Sequence, residues 1–212
     1  MESTLFWFIR INVFCFILSK NIGLLGKILE NQKRNKENLI RLKNKFKKVK
    51  NIEDIGVGSL SVQLSNVCRL IAAEVEIPVF KVSLGSFDTH SKQHNTHNRL
   101  LSELSQSIKK TTNILKDIGI WDNTIIMTYS EFGRRAKENG SNGTDHGMAA
   151  PHFVLGGKIN GGIDGDNPNL AKLNKDNLTF SIDYRSLYDY VLTNHFELSE
   201  NPFKSFRNSV IT

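Results

Sequence analysis

The chain has 212 residues, 39% apolar and 23% charged, which excludes a disordered polymer and leaves length for one sizeable core, so a single main domain is the default. Its net charge of +7 suggests a nucleic-acid partner, but residues 1–50 carry 12 Lys/Arg against 3 Glu, a net of +9, and the rest carries 16 basic and 18 acidic side chains. The body is therefore near neutral, nucleic acid is not an expected partner, and the two cysteines, Cys15 and Cys68, exclude a disulfide framework and a cysteine zinc site alike.

Leu5 to Leu18 reads LFWFIRINVFCFIL, apolar except for Arg10 and Asn12, and is too short and interrupted for a transmembrane helix. It shows neither the preceding positive charge nor the small-residue cleavage site of a signal peptide. The reading is a helix that buries its apolar face against the domain or a partner segment, with membrane contact through this leader as the alternative. From Lys27 to Lys50 there are ten Lys/Arg and two Glu interleaved with apolar residues, which suits a solvated helix or linker before an anionic-surface binder. Residues 1–57 are thus read as an apolar then basic helical leader, 58–198 as the domain and 199–212 as a tail.

From Ser59, Leu60, Leu64, Val67, Cys68, Leu70 and Ile71 fall largely at helical spacing, ending near Glu74. Pro78 opens a short β-branched run, Val79 to Leu84, that Gly85 closes. Leu100, Leu101, Leu104, Ile108, Ile114, Leu115 and Ile118 then mark a long helix as far as Gly119, before a second strand from Thr124 to Tyr129. Strand, long helix, strand is the βαβ unit of a parallel sheet. A third strand is expected over His152 to Leu155, then a Gly-rich stretch of turns over 156–165 and an amphipathic closing helix from Asp183 to His195. Asn-Gly pairs at 139–140, 142–143 and 160–161 mark tight turns of positive φ.

Chemistry-bearing residues follow the strands. Asp88 and His90 lie in the SFDTH run after the first, and Ser130, Glu131, Arg134 and Arg135 in SEFGRR after the second. Asp145 and His146 sit in GTDHG before the third. The crevice beyond the carboxyl ends of parallel strands is where ligands bind. Carboxylates at 88, 131 and 145 with imidazoles at 90 and 146 suit zinc, manganese or a similar cation. Against this, Asp beside Gly or Thr is more commonly a turn or cap residue. His90, His94 and His97 fall at i, i+4 and i+7 of a helix face, an ordinary arrangement as well as a ligand spacing; His90 is favoured for its place next to the strand end. His152 is read as a strand residue. Arg134 and Arg135 could hold an oxyanion bidentately or pair with a neighbouring carboxylate. Ser130 lacks a nucleophile elbow and is read as a turn residue or a support for a ligand.

At these residues the chain resembles a known family. SLGSFDTH (83–90), TYSEFGRRAKENGSNGTDHGMAAPHFVLGG (128–157), INGGIDGDNPNL (159–170) and DYRSLYDYVL (183–192) are similar to bacterial proteins of the domain of unknown function 1501 (DUF1501), from about Gly58 to His195 in order. That family is related to the sulfatase and alkaline-phosphatase superfamily. The resemblance implies an α/β fold with a mostly parallel sheet flanked by helices, its N-terminal strands and nucleophile segment missing from this chain. It implies that Asp88 and His90 are a first metal-binding pair and His146 a final histidine. Ser130-Glu131 stands where Asp-His is usual, so Glu131 offers oxygen only. Asp145 is then a support beside the ligands, and Arg134 the holder of an ester anion. No catalytic nucleophile is identified. The expected function is a metal-binding, phosphate- or sulfate-ester-hydrolase-like domain, weak or inactive alone; the alternative is a non-catalytic binding or assembly module. A missing N-terminal half, a second copy and an anionic small molecule are the expected partners. Cytoplasmic residence is the default, with export by family analogy.

Overall fold

The computed structural model describes residues 3–9, 24–47, 49, 52 and 54–207. In chain order the elements are β1 (Ser3–Ile9), α1 (Leu24–Phe46), α2 (Ser59–Ala72), β2 (Val79–Leu84), α3 (Gln93–Asp117), β3 (Thr124–Tyr129), β4 (Gly133–Glu138), β5 (Thr144–Gly147), β6 (Val154–Gly156) and α4 (Tyr184–Asn194). No helix among the described residues is long and apolar enough to cross a membrane.

The fold is mixed α/β, and the expectation of a mostly parallel, alkaline-phosphatase-like sheet is not met. Four strands form one sheet in the order β2-β1-β3-β6, and every pairing in it is antiparallel. The physical reason lies in the leader. β2 and β3 do run in the same direction with α3 crossing between them, as the strand–helix–strand pattern demands. They are not neighbours, however, because β1 lies between them, with Trp7 opposite both Phe80 and Ile126. An apolar run of this length is compatible with either helix or strand, and two open strand edges decide in favour of the strand. Cys15 and the rest of the apolar leader after Ile9 lie outside the described residues. α1 is the solvated basic helix expected of the following segment, with Leu39 and Ile40 exposed.

Burial explains why each strand carries its sequence. In β2, Phe80, Val82 and Leu84 are buried while their neighbours are not, the period of a strand packed on one face. In β3, Ile126 joins the core formed with α2 and α3, whereas Ile125 and Met127 join a second core with Val191 of α4. Adjacent strand residues point to opposite faces, so β3 is covered on both. α3 ends where Gly119 takes φ +76°: its N–H donates to the Lys116 carbonyl and the Ile120 N–H to that of Leu115, a Schellman motif. α2 begins against α3, its Leu60 N–H donating to the Glu103 carboxylate at 3.1 Å. α4 is capped by Asp183, which accepts from the Arg185 N–H at 2.9 Å.

Three local expectations change. The third strand covers Val154–Gly156, so His152 precedes it and meets the Thr128 carbonyl through Nδ1 at 3.1 Å. Of the three Asn-Gly turns, only Asn142 takes a positive φ, 55°. The polar SEFGRR and GTDHG runs, placed between the expected strands, carry the start of β4 and the whole of β5, which form a separate antiparallel hairpin.

Candidate metal centre

The site is assembled from two segments. One is the loop after β2, carrying Asp88 and His90; the other is the β4–β5 hairpin, carrying Arg134 and His146 opposite each other in register. The hairpin tip is tied to the loop by backbone bonds from Lys92 N–H to Ser141 O (3.0 Å) and from Gln93 N–H to Asn142 O (2.9 Å). Asn139 closes the turn through its side-chain oxygen, which accepts from the Ser141 and Gly143 N–H groups, while its amide nitrogen donates to the His90 carbonyl at 3.0 Å. Thr144 adds a hydroxyl bond to the Gln93 side chain at 2.8 Å. Gly143 permits this approach: a Cβ there would stand 2.3 Å from the His90 carbonyl carbon. These bonds place residue 146 next to residues 88 and 90.

One ligand atom from each of Asp88, His90 and His146 lies within 4.8 Å of the others. Asp88 Oδ1 is 2.7 Å from His146 Nε2 and 3.0 Å from His90 Nε2. These are hydrogen-bond separations. A tetrahedral zinc site with bonds of about 2.0–2.1 Å has ligand edges of about 3.3 Å, so along these two edges a cation needs a spreading of only about half an ångström. The hydrogen bond from His146, together with the positive potential of His90 and Arg134, holds the Asp88 carboxyl below its ordinary value of 3.8 despite a smaller opposing effect of desolvation. His90 turns its other nitrogen, Nδ1, to Asp145 Oδ1 at 3.4 Å. Phe132 lies flat on His146, centroids 3.8 Å apart and planes 10° apart, and so fixes that ring.

Of the residues singled out from sequence, Asp88, His90 and His146 converge, and Asp145 lies against His90. Glu131 is exposed in the turn before β4 and does not join the group. Ser130 donates its hydroxyl to the Phe132 carbonyl at 2.9 Å, a turn role. Arg134 is engaged by backbone: its guanidinium donates to the carbonyls of Thr144 and Phe87 and stands 4.0 Å from Asp88 Oδ1. Burial lowers its pKa from the ordinary value, with Asp88 and Asp145 opposing, and it stays cationic. The helix-face reading of three histidines fails because α3 begins at Gln93, after His90. His94 meets Asn98, and His97 faces Thr89 Oγ1 at 2.8 Å. Asn139, Gln93 and Phe132 escaped the sequence reading as site residues; the Asn-Gly pair at 139–140 marked the turn but not its hold on His90.

With one carboxylate and two imidazoles, the cluster offers three atoms that could hold a cation on an accessible surface. The donor set suits zinc or manganese. Neither a curated protein nor a solved structure shows significant similarity to the chain. The sequence model of a family described as proteins of unknown function (DUF1501) matches residues 60–199, well over half of the chain and the whole of this cluster, and the chain belongs to that family.

Proposed function

We propose that Asp88, His90 and His146 hold one divalent cation, zinc or manganese, and that the domain is hydrolase-like, built for phosphate or sulfate esters. The observation that carries this reading is the convergence of three ligand atoms from segments more than fifty residues apart, secured by a dedicated set of loop-to-hairpin hydrogen bonds. The relation to sulfatases and alkaline phosphatases belongs to the same proposal and rests on the motifs that carry these residues, not on the sheet.

A bound cation supplies Lewis acidity toward an ester oxygen and acidifies bound water. The chain's own groups prepare its place. Asp88 brings negative charge and is held ionised by its histidine neighbours. Asp145 orients His90 so that Nε2 faces the site, and Phe132 keeps His146 from turning. Arg134 places a fixed positive charge behind Asp88 while clamping Phe87 and Thr144.

Two features favour the second reading, a binding or assembly module without turnover: the Ser130 hydroxyl is engaged in its turn, and the Arg134 guanidinium in backbone carbonyls. Hydrolysis of p-nitrophenyl phosphate and p-nitrophenyl sulfate, with zinc or manganese added, separates the two. Metal-dependent turnover that disappears in Asp88→Asn supports the hydrolase. Stoichiometric metal binding with no turnover of either ester supports the module.

A further inference from the structure

Beside the metal cluster, under the loops that follow β3 and β5, lies a cavity of about 390 Å³. Its walls are apolar: Leu60 of α2, Leu84 of β2, Leu104 of α3 and Phe132. Leu101 and Phe153 also line it and are each about half exposed, so apolar surface continues outward from it. A volume of this order is that of a small-molecule pocket.

One cation in the lining is unaccounted for. Arg135 borders the cavity, and its Nε is buried with no hydrogen-bond partner among the described residues. Among the described residues, no Asp or Glu lines the cavity. The other basic groups there are already engaged: Arg134 by Phe87 and Thr144, His97 by Thr89 and Phe87, His152 by Thr128. A cationic guanidinium beside mostly apolar walls, with no carboxylate among the described lining residues, favours an occupant that combines negative charge with an apolar body.

We propose that this cavity binds a small organic anion with an apolar body, such as a medium-chain or aryl carboxylate, whose charged end pairs with Arg135. The carboxylate accepts from the guanidinium, and the apolar body covers Leu60, Leu84, Leu104 and Phe132. This pocket shares Phe132 with the surroundings of His146, but its proposed ligand needs no metal.

Isothermal titration of octanoate into the full chain tests the proposal, run with EDTA so that no metal at Asp88 can take the carboxylate. Octanol serves as the uncharged probe. The expected result is saturable one-to-one octanoate binding, weakened at least tenfold by Arg135→Gln and by Leu101→Trp, which narrows the cavity from a half-exposed helix position. Octanol is expected to bind wild type and Arg135→Gln alike. Absence of saturable octanoate binding by folded wild type overturns the proposal, as does binding unchanged in both variants while their thermal melts match wild type.

Discussion

The imidazole of His90 turns Nδ1 toward the Asp145 carboxylate, 3.4 Å away, and so leaves Nε2 facing Asp88. A histidine ligand whose far nitrogen donates to a carboxylate is held in one tautomer and made a better donor. Losing such a partner typically weakens metal affinity about 10–100-fold. Asp145→Ala should therefore weaken zinc binding within that range without changing its stoichiometry, as read by competition against a chromophoric chelator. A loss of stoichiometry would instead make Asp145 a ligand.

Gly143 packs its backbone against the loop at His90 and Ser91. A Cβ added there meets the His90 carbonyl carbon at 2.3 Å, which backbone on both sides must move to relieve. Overpacking of this kind costs about 1–3 kcal/mol. Gly143→Ala should lower stability by that amount in urea unfolding and weaken metal binding as well, since it pushes His90 away from His146. Gly140→Ala, at a position with open space around it, is the matched control and should change neither.

Asp189 is almost wholly buried in α4 and paired with Arg207, whose Nε and Nη2 lie 2.7 and 3.1 Å from its two oxygens. Hydrogen bonds from Arg207, with smaller help from Asn201 and Thr193, pull its pKa from 3.8 down to about 2, against desolvation. The folded chain thus binds fewer protons than the unfolded chain between these values. The pair's contribution is fully present above about 4 and is lost as the pH falls toward about 2. Asp189→Asn should flatten the acid limb of stability against pH in that window; an unchanged limb would contradict the assignment.

Cys68 is fully buried in α2, and burial pushes its thiol up to about 12, outweighing the opposing effect of Arg69. The thiolate is the reactive form, so the residue should be inert in the folded chain. In a Cys15→Ser chain, DTNB at pH 8 should label no thiol under native conditions and one in guanidinium. Rapid native labelling would show that α2 opens readily.

Much of the element order was legible because burial leaves a mark on composition. Phe80, Val82 and Leu84, the apolar ladder of α3 and the closing helix after Asp183 all announce themselves. Strand direction does not. Nothing in Val79–Leu84 or Thr124–Tyr129 states whether the strands touch, and the intervening β1 comes from a leader whose short apolar run carries no clear period. β4 and β5 escaped because GRRAKE and TDHG pair without an apolar face. In the site, Asp88, His90 and His146 were recognisable from their motifs. The exclusion of Glu131 depends on the turn before β4, and the engagement of Arg134 on carbonyls that distant residues bring to it, neither of which spacing records.

The central claim is the single cation held by Asp88, His90 and His146. Elemental analysis of purified protein, equilibrated with zinc and manganese and freed of excess, measures it most directly when Asp88→Ala and His146→Ala are carried alongside with their thermal melts. The account predicts about one equivalent of metal in wild type and loss of that metal in both folded variants, in keeping with a three-ligand site that cannot spare one. Well-folded wild type that retains no metal, or variants that retain the full equivalent, would contradict it.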